Sequence, residues 1–450
     1  MQRTVIIGGD AAGMTAAAQA SRGKERSEIV VFERGQYTSY AACGLPYFVG
    51  GLVADVSSLV ARTPEQHRAN GIDVRIGHEV TSIDVSRREI EVRVLNDGST
   101  RGEPFDHLVI ATGASPIRPR LPNIDARGIA GIQTIPDALA LDEIIRTRLP
   151  RRAVVVGGGY IGLEMVEALL SSGLHVTVVE KLPQPMATLD ADMGDRVATA
   201  LRELGVDLRL SLGVAGFEKD AHGWVTAVTT DAGPIPADLV VLGLGVRPNV
   251  ALARDAGITI GPSGAIATDD HMATSAPGVW AAGDCAESFH RVSRRPASIA
   301  LGTHANKQGR VVGINLSGGD AAFPGVIGTA VTKVSDLEIG RTGLNEREAA
   351  AAGLDTVSGT VEGSSRAHYY PDSAPMTVKV VAQRGTGRML GAQIVGGPDT
   401  AKRIDALAVA IWNEMTVDDY AQLDLGYAPP LSPVWDPTLI AARRAAEQAD

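Results

Sequence analysis

The apolar positions of this chain fall into short continuous runs that end in glycine. "TVIIGG" opens the sequence in this way and leads into the alanine-rich "AAGMTAAAQASRG", after which comes "EIVVFE". A β-branched run broken by glycine predicts a strand buried on both faces, and the alanine-rich stretch predicts a helix lying close on it. The same grammar returns from Arg152 onward as "RAVVVGGGYIGLEMVEALLSSG" and then "HVTVVEK". Two βαβ units on parallel sheets are therefore expected. "EIEVRVLNDGS", "HLVIATGA", "DLVVLGLGVRPN" and "VWAAGD" read as further strands. From Phe323 the pattern changes to strand, turn, strand in "MTVKVVAQRGTGRMLGAQIVGG" and an amphipathic helix in "TAKRIDALAVAIWNEM". The last part reads as a separate α+β domain.

Both βαβ units carry glycines that suit a dinucleotide. In the second, Gly157, Gly159 and Gly162 form a complete G-x-G-x-x-G after a strand. These glycines serve the tight turn, the approach of backbone to a pyrophosphate, and close helix–strand packing, in that order. Glu180 ends the next strand, where a carboxylate can hold a ribose 2′-hydroxyl; Lys181 follows it. In the first unit Gly8 and Gly13 are present, but Asp10 takes the middle glycine position, where it can crowd or repel a pyrophosphate. Glu33 lies twenty residues after Gly13, as the ribose reading requires. "VWAAGD" brings Gly283 and Asp284 to the end of a strand, where a carboxylate can accept hydrogen bonds from a ligand hydroxyl chain.

Composition narrows the setting. A net charge of −10 argues against general nucleic-acid binding. No apolar run approaches the about 18 residues of a membrane span, and the N-terminal apolar stretch is too short and glycine-rich for a signal peptide. Two cysteines in 450 residues make no disulfide framework. A reducing compartment, the cytoplasm, is expected. One of the two, Cys43, stands in "SYAACGLPYFVGG". It is either a small buried apolar residue or a reactive thiol. "GLPY" reads as a helix start with proline in its first turn, whose amides favour a thiolate. Cys285, in an apolar stretch, reads as structural.

The motifs "IIGGDAAGM", "VIATGASP", "VVVGGGYIGLE", "VWAAGD" and "HANKQGRVVG", spread over the whole chain, resemble those of the FAD-dependent pyridine nucleotide-disulfide oxidoreductases. "SYAACGLPY" resembles their single-cysteine branch, which includes coenzyme A disulfide reductases, NADH oxidases and persulfide reductases; Phe48 stands where two-cysteine members have the second. "HYYP" and "YAPPLSPVWDP" are most similar to the coenzyme A disulfide reductases. The resemblance implies an α/β fold with two Rossmann-like domains and a C-terminal dimerisation domain. Residues 1–115 and 243–322 would bind FAD, 116–242 NAD(P)H, and 323–450 would form a homodimer with shared active sites.

The resemblance also distributes roles. Gly8, Gly13, Glu33, Arg34, Thr112, Gly113, Gly283 and Asp284 would hold FAD. Gly157, Gly159, Tyr160, Ile161, Gly162, Glu164, Glu180 and Lys181 would hold NADH or NADPH, with Tyr160 gating the nicotinamide pocket and Glu164 orienting the carboxamide. Cys43 would attack a disulfide. Tyr370 and Tyr427 of the partner subunit would protonate the leaving thiolate, with Tyr369 competing with Tyr370. Gln19, Arg22 and Ser39 match positions near a coenzyme A nucleotide, whereas Ala42 replaces an asparagine found in some relatives. The implied activity is reduction of coenzyme A disulfide or a similar small disulfide. The alternatives are an NADH oxidase working through a Cys43 sulfenate, a persulfide or polysulfide reductase, and a redox-sensing flavoprotein without turnover. "GGDAAG" lacks the histidine of NADH peroxidases.

Overall fold

The structure, a computed structural model, describes residues 2–23 and 27–449. The first βαβ run forms strand Gln2–Ile7, helix Ala11–Ala20 and strand Ser27–Glu33. The strands lie in a five-stranded parallel sheet with Asp73–Ile76 on one side and His107–Ile110 and Val279–Ala281 on the other. Val5, Ile6, Val30, Val31, Leu108, Val109 and Ile110 are wholly inaccessible, which is why their runs are continuous instead of alternating. Each such side chain contributes about 1.5–3 kcal/mol of burial free energy. Helix Ala11–Ala20 packs against Gly302–Leu316, and small residues set the spacing: a Cβ on Gly309 would lie 2.3 Å from the Ala12 carbonyl oxygen.

The second run repeats the plan. Strand Arg152–Val156, helix Tyr160–Ser171 and strand His175–Val179 belong to a second parallel sheet completed by Asp207–Arg209, Leu239–Leu242 and Ile129–Ala130. "EIEVRVLNDGS" becomes strand Glu89–Val94, the middle of a small antiparallel sheet. The C-terminal residues form a five-stranded antiparallel sheet in the order Ala330–Val334, Leu337–Gly343, Met389–Gly396, Pro375–Gln383, Thr356–Ser364. The expected helix there is a 3₁₀ turn, Ala401–Arg403, followed by Ile404–Trp412.

A polar joint ties the second unit to the C-terminal sheet. The Lys379 ammonium, 5% exposed, lies 3.3 Å from Asp190, 3.0 Å from Asp192 and 3.3 Å from Glu346. Gln393 donates to Asp190 at 2.7 Å. Arg341 and Asn345 donate to the Thr188 carbonyl, and Arg347 to that of Ala187. Among the described residues no helix is long and apolar enough to cross a membrane.

Candidate active site

The two glycine loops match each other closely. Gly8 and Gly157 turn with φ of +110° and +106°, and a Cβ on either would strike a carbonyl oxygen at 2.1 and 2.4 Å. Glu33 accepts the amides of Gly9 at 2.8 Å and Gly35 at 2.6 Å. Glu180 likewise accepts those of Gly158 at 2.7 Å and Leu182 at 2.8 Å. Each carboxylate keeps further lone pairs for a ribose hydroxyl. A Cβ on Gly159 would meet nothing within 4 Å, so this glycine leaves open space in front of a helix N-terminus. That is the cradle a pyrophosphate needs. Ile161 is half-buried in the first turn of that helix, and Lys181 is exposed beside Glu180.

At the first loop the other expected residues gather around the end of the sheet. The Thr112 hydroxyl donates to the Asn249 carbonyl at 2.7 Å, and Asn249 donates back to Thr112 and to Gly113. Gly283 donates its amide to Gln308 at 2.7 Å, and Gln308 donates to Ser288, which fixes the strand end carrying Asp284. Burial pushes the Asp284 carboxyl up. Arg34 is exposed. Asp10 does not project into the loop unpartnered: its Oδ1 accepts the Tyr40 amide at 3.1 Å.

Cys43 sits in a 3₁₀ turn, Ala42–Gly44, followed by a five-residue helix, Leu45–Val49, with Pro46 in its first turn. The chain on either side is anchored in different units. Upstream, Ser39 donates its amide to the Gly9 carbonyl at 3.1 Å, and the Tyr40 amide goes to Asp10. Downstream, Leu45 and Val49 are buried in the core of the second unit with Ile135, Leu141, Ala168 and Leu169. The thiol thus lies where the two nucleotide units meet, and it is the exposed cysteine of the two. Cys285 is buried, its Sγ donating to the Ile110 and Ala282 carbonyls, as the structural reading requires.

One electrostatic expectation is corrected. The thiol is not drawn toward the thiolate by helix amides. Although the residue is exposed, the bulk of protein around it pushes its pKa up. Glu164 of the second unit and Asp284 of the first push it further, and the local amide does not offset them. The helix that follows is one short turn and Cys43 precedes its cap, so its dipole is weak at the sulfur. Glu164 is itself pushed up by burial, but the Thr332 hydroxyl donates to it at 3.2 Å and favours its charged form. Tyr160 stands beside Gly159 with its hydroxyl buried toward Thr188, near Arg341 and Glu348, and burial pushes its pKa up.

The three residues matched to a coenzyme A nucleotide differ in their surroundings. Arg22 is exposed and donates Nε to the Ala18 carbonyl at 2.8 Å, capping its own helix. Gln19 packs its Cβ and Cγ toward Gly313. Ser39 has a left-handed backbone, φ +48°, and its hydroxyl is 3.0 Å from Nε2 of His67, which is 2% exposed. On the C-terminal domain Tyr369, Tyr370 and Tyr427 are 66%, 38% and 49% exposed. The tyrosine that acts on Tyr427 is Tyr369, whose neighbouring hydroxyl raises the Tyr427 pKa. His368 packs edge-on against Tyr369. Leu431, Val434 and Trp435 are exposed on the segment after Tyr427. Sequence reading did not single out Gln308, Thr332 or His67. Gln308 lies within "HANKQGRVVG", which was the available signal; Thr332 and His67 carried none.

Comparison with known proteins matches this arrangement. The family model for pyridine nucleotide-disulphide oxidoreductases covers residues 2–309, and that for their dimerisation domain covers 329–437. An NAD(P)H coenzyme A polysulfide/persulfide reductase of Pyrococcus horikoshii is 39% identical over 447 residues, 98% of each chain. A coenzyme A disulfide reductase of Staphylococcus epidermidis is 30% identical over 435 residues, 96% of this chain and 97% of its own. The solved structure of an NAD-dependent persulfide reductase from A. fulgidus superposes with a TM-score of 0.95 at 40% identity, covering 99% of this chain and 83% of that one. This chain belongs to the pyridine nucleotide-disulphide oxidoreductase family and carries that family's dimerisation domain.

Proposed function

We propose that this protein is an FAD-dependent NAD(P)H:disulfide oxidoreductase that reduces coenzyme A disulfide, or a similar small disulfide, through Cys43. The observation that carries the reading is the position of that thiol. It is held upstream by the first glycine loop and downstream by the core of the second unit, with carboxylates of both units acting on it. Residues 1–115 with 243–322 make the FAD domain, 116–242 the NAD(P)H domain, and 323–450 the dimerisation domain.

Glu33, Thr112, Gly113, Gly283 and Asp284 hold FAD, with Gly8 and Gly13 shaping the turn and Arg34 at the rim. Gly157, Gly159, Gly162, Ile161, Glu180 and Lys181 hold the nicotinamide nucleotide; Tyr160 closes its pocket and Glu164 orients the carboxamide. When bound, FAD supplies two-electron transfer between NAD(P)H and sulfur. Cys43, as thiolate, attacks one sulfur of the disulfide, forming a mixed disulfide and expelling the other half as a thiolate. A tyrosine hydroxyl of the partner subunit, from Tyr427 with Tyr369 or Tyr370, gives that thiolate its proton. Two electrons and a proton would then cleave the mixed disulfide, freeing the second half as a thiol and restoring the Cys43 thiolate. Gln19, Arg22 and Ser39 face the nucleotide part of a coenzyme A substrate. The exposed Leu431, Val434 and Trp435 beside Tyr427 support a homodimer with shared sites.

A second reading has its own support. The relatives named for polysulfide or persulfide reduction are 39–40% identical, against 30% for the coenzyme A disulfide reductase. The same thiolate would then attack a sulfane sulfur. Steady-state NADH oxidation with coenzyme A disulfide, coenzyme A persulfide and no acceptor separates these readings. Oxidation that neither sulfur substrate stimulates refutes both. The mass of any thiol that a reductant such as dithiothreitol releases from Cys43 of the denatured protein names the substrate's thiol half.

A further inference from the structure

Asp10 stands where the second loop has Gly159, two residues after the turn glycine and directly before the helix. The backbones agree: φ −112° and ψ −153° at Asp10, φ −86° and ψ −169° at Gly159. Beyond Gly159 the space is open; at Asp10 a carboxyl group fills it and turns back to the Tyr40 amide. Tyr40 is three residues before Cys43. With the Ser39 amide on the Gly9 carbonyl, this makes two bonds from the first glycine loop to the reactive segment.

The charges around Asp10 are unfavourable to a third carboxylate. Glu33 at the end of its strand and Asp284 at the end of another both act on it, and the Tyr40 hydroxyl and Cys43 face it from the reactive segment. The amides of Tyr40 and Ala11 are the groups that favour its charge. Arg34 and Asp137 act on the Tyr40 hydroxyl. Burial, ahead of these neighbours, pushes the Asp10 carboxyl up to about 6. A pyrophosphate brought to the loop adds negative charge and raises the cost of ionising Asp10 further.

We propose that Asp10 works as a neutral carboxylic acid in the FAD-loaded protein, accepting the Tyr40 amide with one oxygen while it donates its proton on the nucleotide side of the loop. FAD loading and the placement of the Cys43 segment are then linked through one proton. This rests on the assignment of FAD to the first loop. The step is a protonation and no bond between heavy atoms changes: above the pH at which the unloaded carboxyl titrates, each FAD bound takes up one proton from solvent.

The test is FAD binding to the cofactor-stripped protein between about pH 5.5 and about pH 8.5, where FAD itself has no titrating group. Quenching of FAD fluorescence reads the Kd, and calorimetry in two buffers of different ionisation enthalpy reads the protons taken up. The expected wild-type Kd weakens by up to about tenfold per pH unit above the Asp10 titration, with proton uptake rising toward one per FAD. Asp10→Asn keeps the acceptor for Tyr40 without a titrating proton, so its Kd is flat with pH and its uptake is nil. Asp10→Gly restores the open glycine loop and is also flat, but it frees the Tyr40 amide. Iodoacetamide then alkylates Cys43 of the loaded protein several-fold faster than in wild type or Asp10→Asn. A wild-type Kd without pH dependence, the wild-type slope persisting in Asp10→Asn, or equal alkylation of the two variants overturns the proposal. Failure of the wild type to bind FAD at any pH instead overturns the FAD assignment.

Discussion

The Thr332 hydroxyl donates a 3.2 Å hydrogen bond to the Glu164 carboxylate, reaching from the first strand of the C-terminal sheet to the helix of the second glycine loop. It favours the charged form of a carboxyl that burial pushes up, and that carboxylate is the second cause, after burial, of the raised Cys43 pKa. Glu164→Gln removes the charge, so the thiol of the cofactor-stripped protein should ionise at lower pH. Thr332→Val should act in the same direction but less, because Glu164 then keeps its proton to higher pH. Iodoacetamide alkylation of Cys43 followed against pH reads this directly. An unshifted profile in Glu164→Gln removes the carboxylate from the account of the thiol.

Cys43→Ser should retain FAD and accept hydride equivalents from NAD(P)H, since neither glycine loop uses the sulfur. It should lose disulfide reduction, because a serine hydroxyl is not ionised near neutral pH and forms no mixed disulfide. Oxygen consumed by this variant should appear as hydrogen peroxide, whereas a wild-type sulfenate can carry oxygen on to water. Disulfide-stimulated NADH oxidation persisting in Cys43→Ser ends the case for Cys43 as nucleophile.

Tyr427→Phe should slow disulfide turnover by about 10²–10⁴-fold, the range for loss of a general acid. Reduction of the bound flavin by NAD(P)H, followed by stopped-flow absorbance, should be unchanged. Tyr369→Phe and Tyr370→Phe then rank the two candidates for the second hydroxyl; the contact between Tyr369 and Tyr427 favours Tyr369. Full disulfide turnover in Tyr427→Phe contradicts its role.

Glu180 is held by the amides of Gly158 and Leu182, and in the proposed coenzyme site its carboxylate would face the position of a 2′-phosphate. Repulsion of about 1–2 kcal/mol between partly solvated charges favours NADH by about 5- to 30-fold in kcat/KM. Lys181 beside it offsets part of this, so Glu180→Ala should bring the two coenzymes close to parity. A wild-type preference for NADPH refutes the assignment of Glu180.

His290 is 5% exposed, and burial lowers its pKa from 6.5 to about 4. It is therefore neutral in the fold, while the unfolded chain takes up its proton first as pH falls. Its contribution favours the fold above 6.5 and declines as pH drops toward 4, by about 3 kcal/mol in all. Asp10 has the opposite sign: the fold holds its proton to about 6, so its share is lost as pH rises from 3.8 toward 6. Urea unfolding of wild type and His290→Gln at a series of pH values isolates the histidine. Parallel stability curves for the two show that His290 is not the responsible group.

Much of the site was legible because its roles are local in sequence. The glycine spacing, Glu33 after Gly13 and Glu180 after Gly162 each follow from one βαβ unit, and the structure reproduces them with matching amide bonds. Cys43 and its proline-bearing helix start were legible for the same reason. What could not be read were partnerships between distant segments: Gln308 with Gly283, Thr332 with Glu164, Asp10 with Tyr40. "GLPY" reads as a helix start, but nothing in it shows that Leu45 and Val49 lie in the core of the second unit. The raised thiol pKa was illegible for the same reason, because the two carboxylates that act on Cys43 most, Glu164 and Asp284, are 121 and 241 positions away along the chain.

The buried Lys379 joint bears on how the molecule can move. Removing one partner of a buried ion pair costs about 3–5 kcal/mol, because the other charge is left buried and unpaired. Here the ammonium faces three carboxylates, while Arg341, Asn345 and Arg347 grip backbone carbonyls of the same segment. A swivel of the second unit against the C-terminal domain would have to tear all of these apart at once. The two therefore travel as one chassis. In a pair of subunits joined through their C-terminal domains, the chassis runs unbroken from one nucleotide cleft to the other.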